Sequence, residues 1–360
     1  MKPAYARLIR LLRSIHKWAG LLLLLPLALI SVSGTVLIFD QQIIQGRLPE
    51  LRGEPPASFE EVARDLDQID RLAGDLGWNL VRLPQPERPY YDIWLMSDER
   101  AYFAPGAETF ADRFYALERP ETFLFELHAH LLSGHSGESI VAWLGVGALA
   151  LAVGGLLVWW PGRRSLKARH LAPKDARPRT MLRLHSAVMA VTAPAALLLI
   201  ISGVLTAFPG TAERALGAVF GGPVQSSWPA PRPYPETRDW RAVLQVADTA
   251  FPDDDMVMLF KPAPGEDGII WLRTRREAEW HPNGRSEIYI DPQTVTLLGV
   301  KDATAHGAGM RAALGAYPVH AVRGGGAWLT PLGVIGGLAL IIGPAAALIA
   351  FVRRKRKQPA

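Results

Sequence analysis

The sequence predicts a membrane protein of four transmembrane α-helices, arranged as two duplicated pairs, with two small water-exposed α+β modules. Three observations predict it. Four apolar runs each approach the ~20 residues that a bilayer-spanning helix needs. The first and third runs, HKWAGLLLLLPLALISVSGTVLIF from His16 and HSAVMAVTAPAALLLIISGVLTAF from His185, share a spacing: the glycine of a Ser-Gly pair falls eighteen residues after the histidine and a phenylalanine twenty-three. Charge is also segregated, since 18 of the 39 Lys and Arg sit at 1–17, 161–184 and 353–357 with Asp175 as the one acid among them.

That segregation is the positive-inside pattern and places both termini in the cytoplasm. It also accounts for the pI of about 9.5 without a nucleic-acid partner. The chain is 360 residues long and 49% hydrophobic, a balance that suits a membrane protein with sizeable exposed domains. It has no cysteine, so disulfides, thiolate metal sites and cysteine nucleophiles are excluded, and any metal or cofactor is held by other side chains.

In order, residues 1–16 form a basic amphipathic N-terminus and 17–39 the first span. A cleaved signal peptide is the alternative, but the run is longer than a ~7–15-residue signal core, and SVSGTVLIFDQQ is a poor cleavage site. Residues 40–125 are acidic and proline-rich, the first exposed module. Within it, Ser58 caps a helix with apolar residues at Phe59, Val62, Leu66 and Ile69, and YYDIWLMSDERAYFAP reads as strand, turn, strand. Residues 126–160 hold a histidine-bearing helix followed by the second span, with Trp143, Trp159 and Trp160 at its interfaces. A basic loop, 161–183, leads to the third span at 184–208. The second module, 209–319, repeats the plan of the first with the helix DWRAVLQVADTAF and a set of strands. A histidine-containing segment then opens the fourth span, 320–352, and 353–360 is a basic tail.

Histidines carry the candidate chemistry. His16 and His185 open spans at the cytoplasmic face, whereas His128 and His320 precede spans at the outer face. His128 lies thirty-three residues before Pro161 and His320 thirty-three before Arg353, so both halves carry histidines at corresponding positions. Ionisable groups at membrane depth are costly and usually functional. Paired imidazoles on neighbouring helices suit axial ligation of haem b. Two haem b groups are therefore expected, with Arg13, Lys17 and Arg183 inside and Arg323 outside as propionate contacts. His135 shares the helical face of His128, while His130 lies about 200° around a continuous helix. Both remain substitutes for His128. His170, His281 and His306 read as solvated loop residues.

The stretch LHAHLLSGHSGESIVAWLGVGALALAVGGLLVWWPGRR, with SIHKWAG, RLHSA and YIDPQTVTLLGV, resembles the PepSY-associated transmembrane family. The resemblance covers most of the chain. It implies four helices, periplasmic PepSY-like modules, and two b-type haems held by His16 with His185 and by His128 with His320. Met189 departs from the pattern, standing where the first half has Gly20. Iron-regulated members resemble ferric-siderophore reductases of the bacterial inner membrane. The implied function is electron transfer to a ferric siderophore in the periplasm, releasing Fe(II), with Tyr317, Trp328, Arg323 and His306 as substrate neighbours. The chain has no nucleotide-binding motif, so a quinol or a cytoplasmic reductase is the expected electron donor. A membrane-anchored binding or regulatory protein without redox activity is the alternative. A transporter is disfavoured on the expectation that none of the four spans is broken.

Overall fold

The computed structural model describes residues 3–225, 227–235, 239–263 and 265–355. Residues 1–2 of the basic N-terminus and 356–360 of the basic tail lie outside the described residues. The chain divides into a helical unit (1–38, 124–209, 319–360) and a sheet unit (39–123, 210–318).

In chain order, the first part runs α1 (Pro3–Leu22), α2 (Leu24–Leu37), α3 (Asp40–Arg47) and α4 (Phe59–Ala73). Four strands follow: β1 (Trp78–Arg82), β2 (Tyr91–Leu95), β3 (Glu99–Phe103) and β4 (Asp112–Tyr115). Five helices come next: α5 (Pro120–His130), α6 (Gly134–Trp159), α7 (Pro178–Val191), α8 (Ala193–Ala207) and α9 (Pro209–Phe220). The second exposed segment supplies α10 (Trp240–Ala250), β5 (Asp255–Phe260), β6 (Ile270–Arg275), β7 (Ser286–Ile290) and β8 (Leu297–Lys301). The chain closes with α11 (Ala308–Leu314), α12 (Ala316–His320) and α13 (Leu329–Lys355).

Among the described residues, two stretches, Gly134–Ser165 and Gly326–Arg354, are long and apolar enough to cross a membrane, and the count rises to four if each of two bent helix pairs is one span. The bends correct the expectation of unbroken spans. Arg7–Leu22 meets Leu24–Leu37 at 65°, and Pro178–Val191 meets Ala193–Ala207 at 69°. Both breaks fall seven residues after a histidine, at Leu23 (φ −86°, ψ −2°), at the edge of the helical region, and Thr192 (φ −93°, ψ 6°), outside it. Pro26 and Pro194 follow closely, and neither has an N–H for the carbonyl four residues back, so the ladder opens there. Within the unit, α13 packs on α7, α8 and α2, and α6 packs on α1 and α8.

The strands of both exposed segments join in one eight-stranded sheet, ordered β4-β3-β2-β1-β5-β6-β7-β8, where the sequence reading expects two modules. Each segment supplies a helix and a four-stranded antiparallel meander, and the seam is the β1–β5 pair with Val81 opposite Leu259. Helices α4 and α10 cover one face over a shared apolar core that includes Leu66, Ile69, Val81, Ile93, Leu244, Leu259 and Leu272. Asp70 explains why the halves merge. Its two oxygens accept from the indole N–H groups of Trp78 and Trp240, both at 2.8 Å, and Lys261 Nζ lies 3.3 Å away. One carboxylate from the first segment thereby satisfies buried donors of both segments. Ser58 caps α4 by accepting from Glu61 N–H, and Asp239 caps α10 by accepting from Ala242 N–H, as each local sequence dictates.

Candidate functional site

The helical unit brings the four span-associated histidines together in two pairs. The His16 and His185 ring centres lie 6.2 Å apart with planes at 55°. Those of His128 and His320 lie 5.8 Å apart at 29°. Two imidazoles on opposite sides of one metal atom, each bonded at ~2.0–2.1 Å, put their ring centres about 6 Å apart.

Backbone carbonyls hold the rings. His128 Nδ1 lies 2.9 Å from Ile30 O, His320 Nδ1 3.0 Å from Leu199 O, and His185 Nδ1 2.9 Å from Gly343 O. The His16 Nδ1 is buried without a hydrogen-bond partner among the described residues. A carbonyl accepts only, so an Nδ1 bonded to one carries the proton, and Nε2 is left as the ligand nitrogen.

Glycines make these approaches feasible. A Cβ on Gly34 would lie 2.5 Å from the His128 ring, one on Gly203 2.7 Å from His320, and one on Gly155 2.9 Å from His16. Ser33 and Ser202 are buried beside the first two. Ser33 donates to Leu29 O at 2.7 Å and Ile30 O at 3.2 Å, and Ser202 to Leu198 O and, at 3.2 Å, Leu199 O. Those second acceptors are the same carbonyls that His128 and His320 use. The repeated Ser-Gly pair is thus a seat for the other pair's histidine, a role invisible in the one-dimensional repeat.

Residues 13–354 match the family model described as the PepSY-associated TM region. The chain belongs to that family. No curated protein matches it.

Among the substitutes, this PepSY-associated chain directs His130 elsewhere, with Nδ1 2.7 Å from Glu126 and its ring edge on Phe125. His135 is 94% exposed and reaches Glu138. Neither joins His320. Helices α5 and α12 stop just after their histidines through left-handed residues, Leu131 (φ 46°), Leu132 (φ 58°) and Val322 (φ 58°). For a β-branched residue that backbone is strained, and Val322 is held there, buried against Gly333.

Met189 resolves into a size exchange. In the first half Gly20 faces Leu151, whereas in the second Met189 faces Gly343, where a Cβ would meet its Sδ at 2.5 Å. Leu151 and Gly343 lie twenty-three residues after His128 and His320 respectively, so large and small residues swap across one contact.

The cationic residues Arg13, Lys17 and Arg183 are exposed within three residues of His16 or His185, and Lys17 Nζ lies 4.2 Å over the Trp18 ring. Arg323 and the 59%-exposed Trp328 belong to the helical unit, and Tyr317 and His306 to the sheet unit. The solvated reading of His281 and His306 is corrected: they are 4% and 3% exposed. His306 Nδ1 accepts from Val224 N–H at 3.0 Å, and His281 stacks on Tyr317 at 5.0 Å. Both are covered by tertiary packing that their polar, glycine-rich surroundings do not announce. His170 lies in the basic loop, where its Nδ1 takes Lys167 N–H.

Proposed function

We propose that the chain holds two b-type haems, one between His16 and His185 and one between His128 and His320, and reduces a ferric siderophore on the periplasmic side of the bacterial inner membrane. What supports the reading is the pair of imidazole separations, 6.2 and 5.8 Å, with three of the four Nδ1 atoms on backbone carbonyls. Two ring nitrogens are too few for a bare cation, which takes four or more ligands, and they suit a metal carried in a planar macrocycle. Bound at the two pairs, the haems supply one-electron carriers near the two faces of the bilayer.

The protein's own residues set the conditions. The Nδ1–carbonyl contacts fix ring tautomer and orientation. The apolar faces of α2, α6, α8 and α13 exclude water. Arg13, Lys17 and Arg183 offer charge to inner propionates, and Arg323 to outer ones. Electrons enter from a quinol or a cytoplasmic reductase. Iron is released because hard oxygen donors hold Fe(III) far more firmly than Fe(II).

The test is the reduced-minus-oxidised visible spectrum and haem stoichiometry of detergent-purified protein, wild type against His16→Ala, His128→Ala, His185→Ala and His320→Ala. Low-spin b-type spectra, with each substitution costing one haem of two, are expected. A colourless protein after haem-replete expression overturns the reading in favour of an anchored binding module without redox activity.

A further inference from the structure

The sheet face opposite α4 and α10 carries more cationic side chains than carboxylates, with Arg82, Arg100, Arg273 and Lys301 sharing Asp92 and Glu287. Strand register aligns Asp92, Arg82, Met258, Arg273, Glu287 and Lys301 in one row from β2 to β8. The two carboxylates in that row are already engaged. Asp92 binds Arg100 through both oxygens at 2.7 Å, leaving Arg82 at 3.6 Å. Glu287 accepts the Tyr289 hydroxyl on Oε2 at 2.7 Å, with Lys301 Nζ 3.5 Å from the same oxygen and Arg273 Nε 3.5 Å from Oε1. Among the described residues, the side-chain hydrogen bond shown for Arg285 goes to a histidine, with Nη2 2.9 Å from His281 Nε2.

Donors exceed acceptors here. His281 Nδ1 faces Asn283 N–H at 3.1 Å while Nε2 faces Arg285, yet a neutral imidazole has a single acceptor nitrogen. Among the described residues, the Nε–H groups of Arg82 and Arg285 are buried without a hydrogen-bond partner, and that of Arg273 has Glu287 Oε1 at 3.5 Å, without good hydrogen-bond geometry. Burial, then Arg285, Arg273 and Arg82, push the His281 imidazole down to about 3, so the ring stays neutral and does not add to the excess. The guanidiniums are nevertheless reachable, since the Arg82 and Arg273 side chains are 22% and 21% exposed. Aromatic rings orient them: Arg273 Cζ lies 5.1 Å over Trp271 and Arg82 Cζ 4.9 Å over Trp94.

We propose that Arg82, Arg273 and Arg285, grouped around His281 in the sheet unit, form a binding site for a small carboxylate polyanion. Planar guanidinium forks match carboxylates in bidentate geometry, and the ligand supplies the acceptors that this face lacks. That the polyanion is an iron(III) chelate with carboxylate donors rests on the reductase reading above; the anion site itself does not.

The experiment is equilibrium binding of gallium(III) citrate, a redox-inert stand-in for the iron complex, to the detergent-purified full chain, followed by tryptophan fluorescence and calorimetry. Saturable binding that weakens with added salt is expected. Arg273→Gln and Arg285→Gln are each expected to weaken it by about tenfold or more, the loss of a charge-assisted hydrogen bond. Arg273→Lys and Arg285→Lys keep the charge and are expected to recover part of it, which separates a binding loss from a folding loss. A cationic gallium hydroxamate chelate is the charge control and is expected not to bind there. Binding that is unsaturable, or equal in wild type and both Gln variants, overturns the site. Haem content is read on the same samples: a colourless protein that binds gallium citrate refutes the reductase and retains the site, and a haem protein that does not bind it does the reverse.

Discussion

Gly34 and Gly203 have no space for a methyl group, because the His128 and His320 rings occupy the positions their Cβ atoms would take. In Gly34→Ala the added carbon must displace the imidazole and break its contact with Ile30 O. On the proposed function, haem content is expected to fall by the haem assigned to His128 and His320 while the one assigned to His16 and His185 persists, as resolved by redox titration of the visible spectrum. Gly154→Ala is the control, since nothing lies within 4 Å of its Cβ position and no loss is expected there. Equal loss in both variants would show that helix packing in general, not clearance at the histidine, sets haem retention. The serine beside each glycine is coupled to the same carbonyl as the histidine, so the two-residue signature acts as one device.

Between elements, the contact of α1 with α6 and the contact of α7 with α13 are the same contact with side-chain sizes exchanged. Gly343→Ala places a carbon against Met189 Sδ and is expected to destabilise by about 1–3 kcal/mol, the range for overpacking a filled interface. Met189→Ala in the same chain is expected to restore most of that loss, because it removes the atom that clashes. Thermal unfolding of the single and double variants in detergent checks this, and additive losses would refute the exchange. The bends at Leu23 and Thr192 belong to this scale as well. Each turns the chain between a histidine and the Ser-Gly pair that seats a histidine of the other pair, so one bent helix pair serves both sites.

Over the whole molecule, duplication is expressed differently in the two units. In the helical unit the copies interleave, with each histidine pair drawing one member from each half. In the sheet unit they join edge to edge at β1 and β5, over a core tied by Asp70. Asp70→Ala takes an acceptor away from two indole N–H groups and from the Lys261 ammonium, whose side chain is 1% exposed, and is expected to cost about 1–3 kcal/mol of sheet-unit stability, measured by denaturant titration of tryptophan fluorescence. A loss below ~1 kcal/mol, the level of an exposed pair, would show that the halves are held by apolar packing alone. The apolar runs, the charge segregation, the histidine spacing and the helix caps were legible in the sequence, because hydropathy, capping chemistry and duplication act over short or repeated stretches of chain. The correspondence with His320 already favoured His128 over His130 and His135, and two features were decided only in three dimensions: the merging of two modules into one sheet, and the gathering of Arg82, Arg273 and Arg285. Each depends on which groups meet across more than a hundred residues of chain, where strand register and close packing select the partners and no local propensity does.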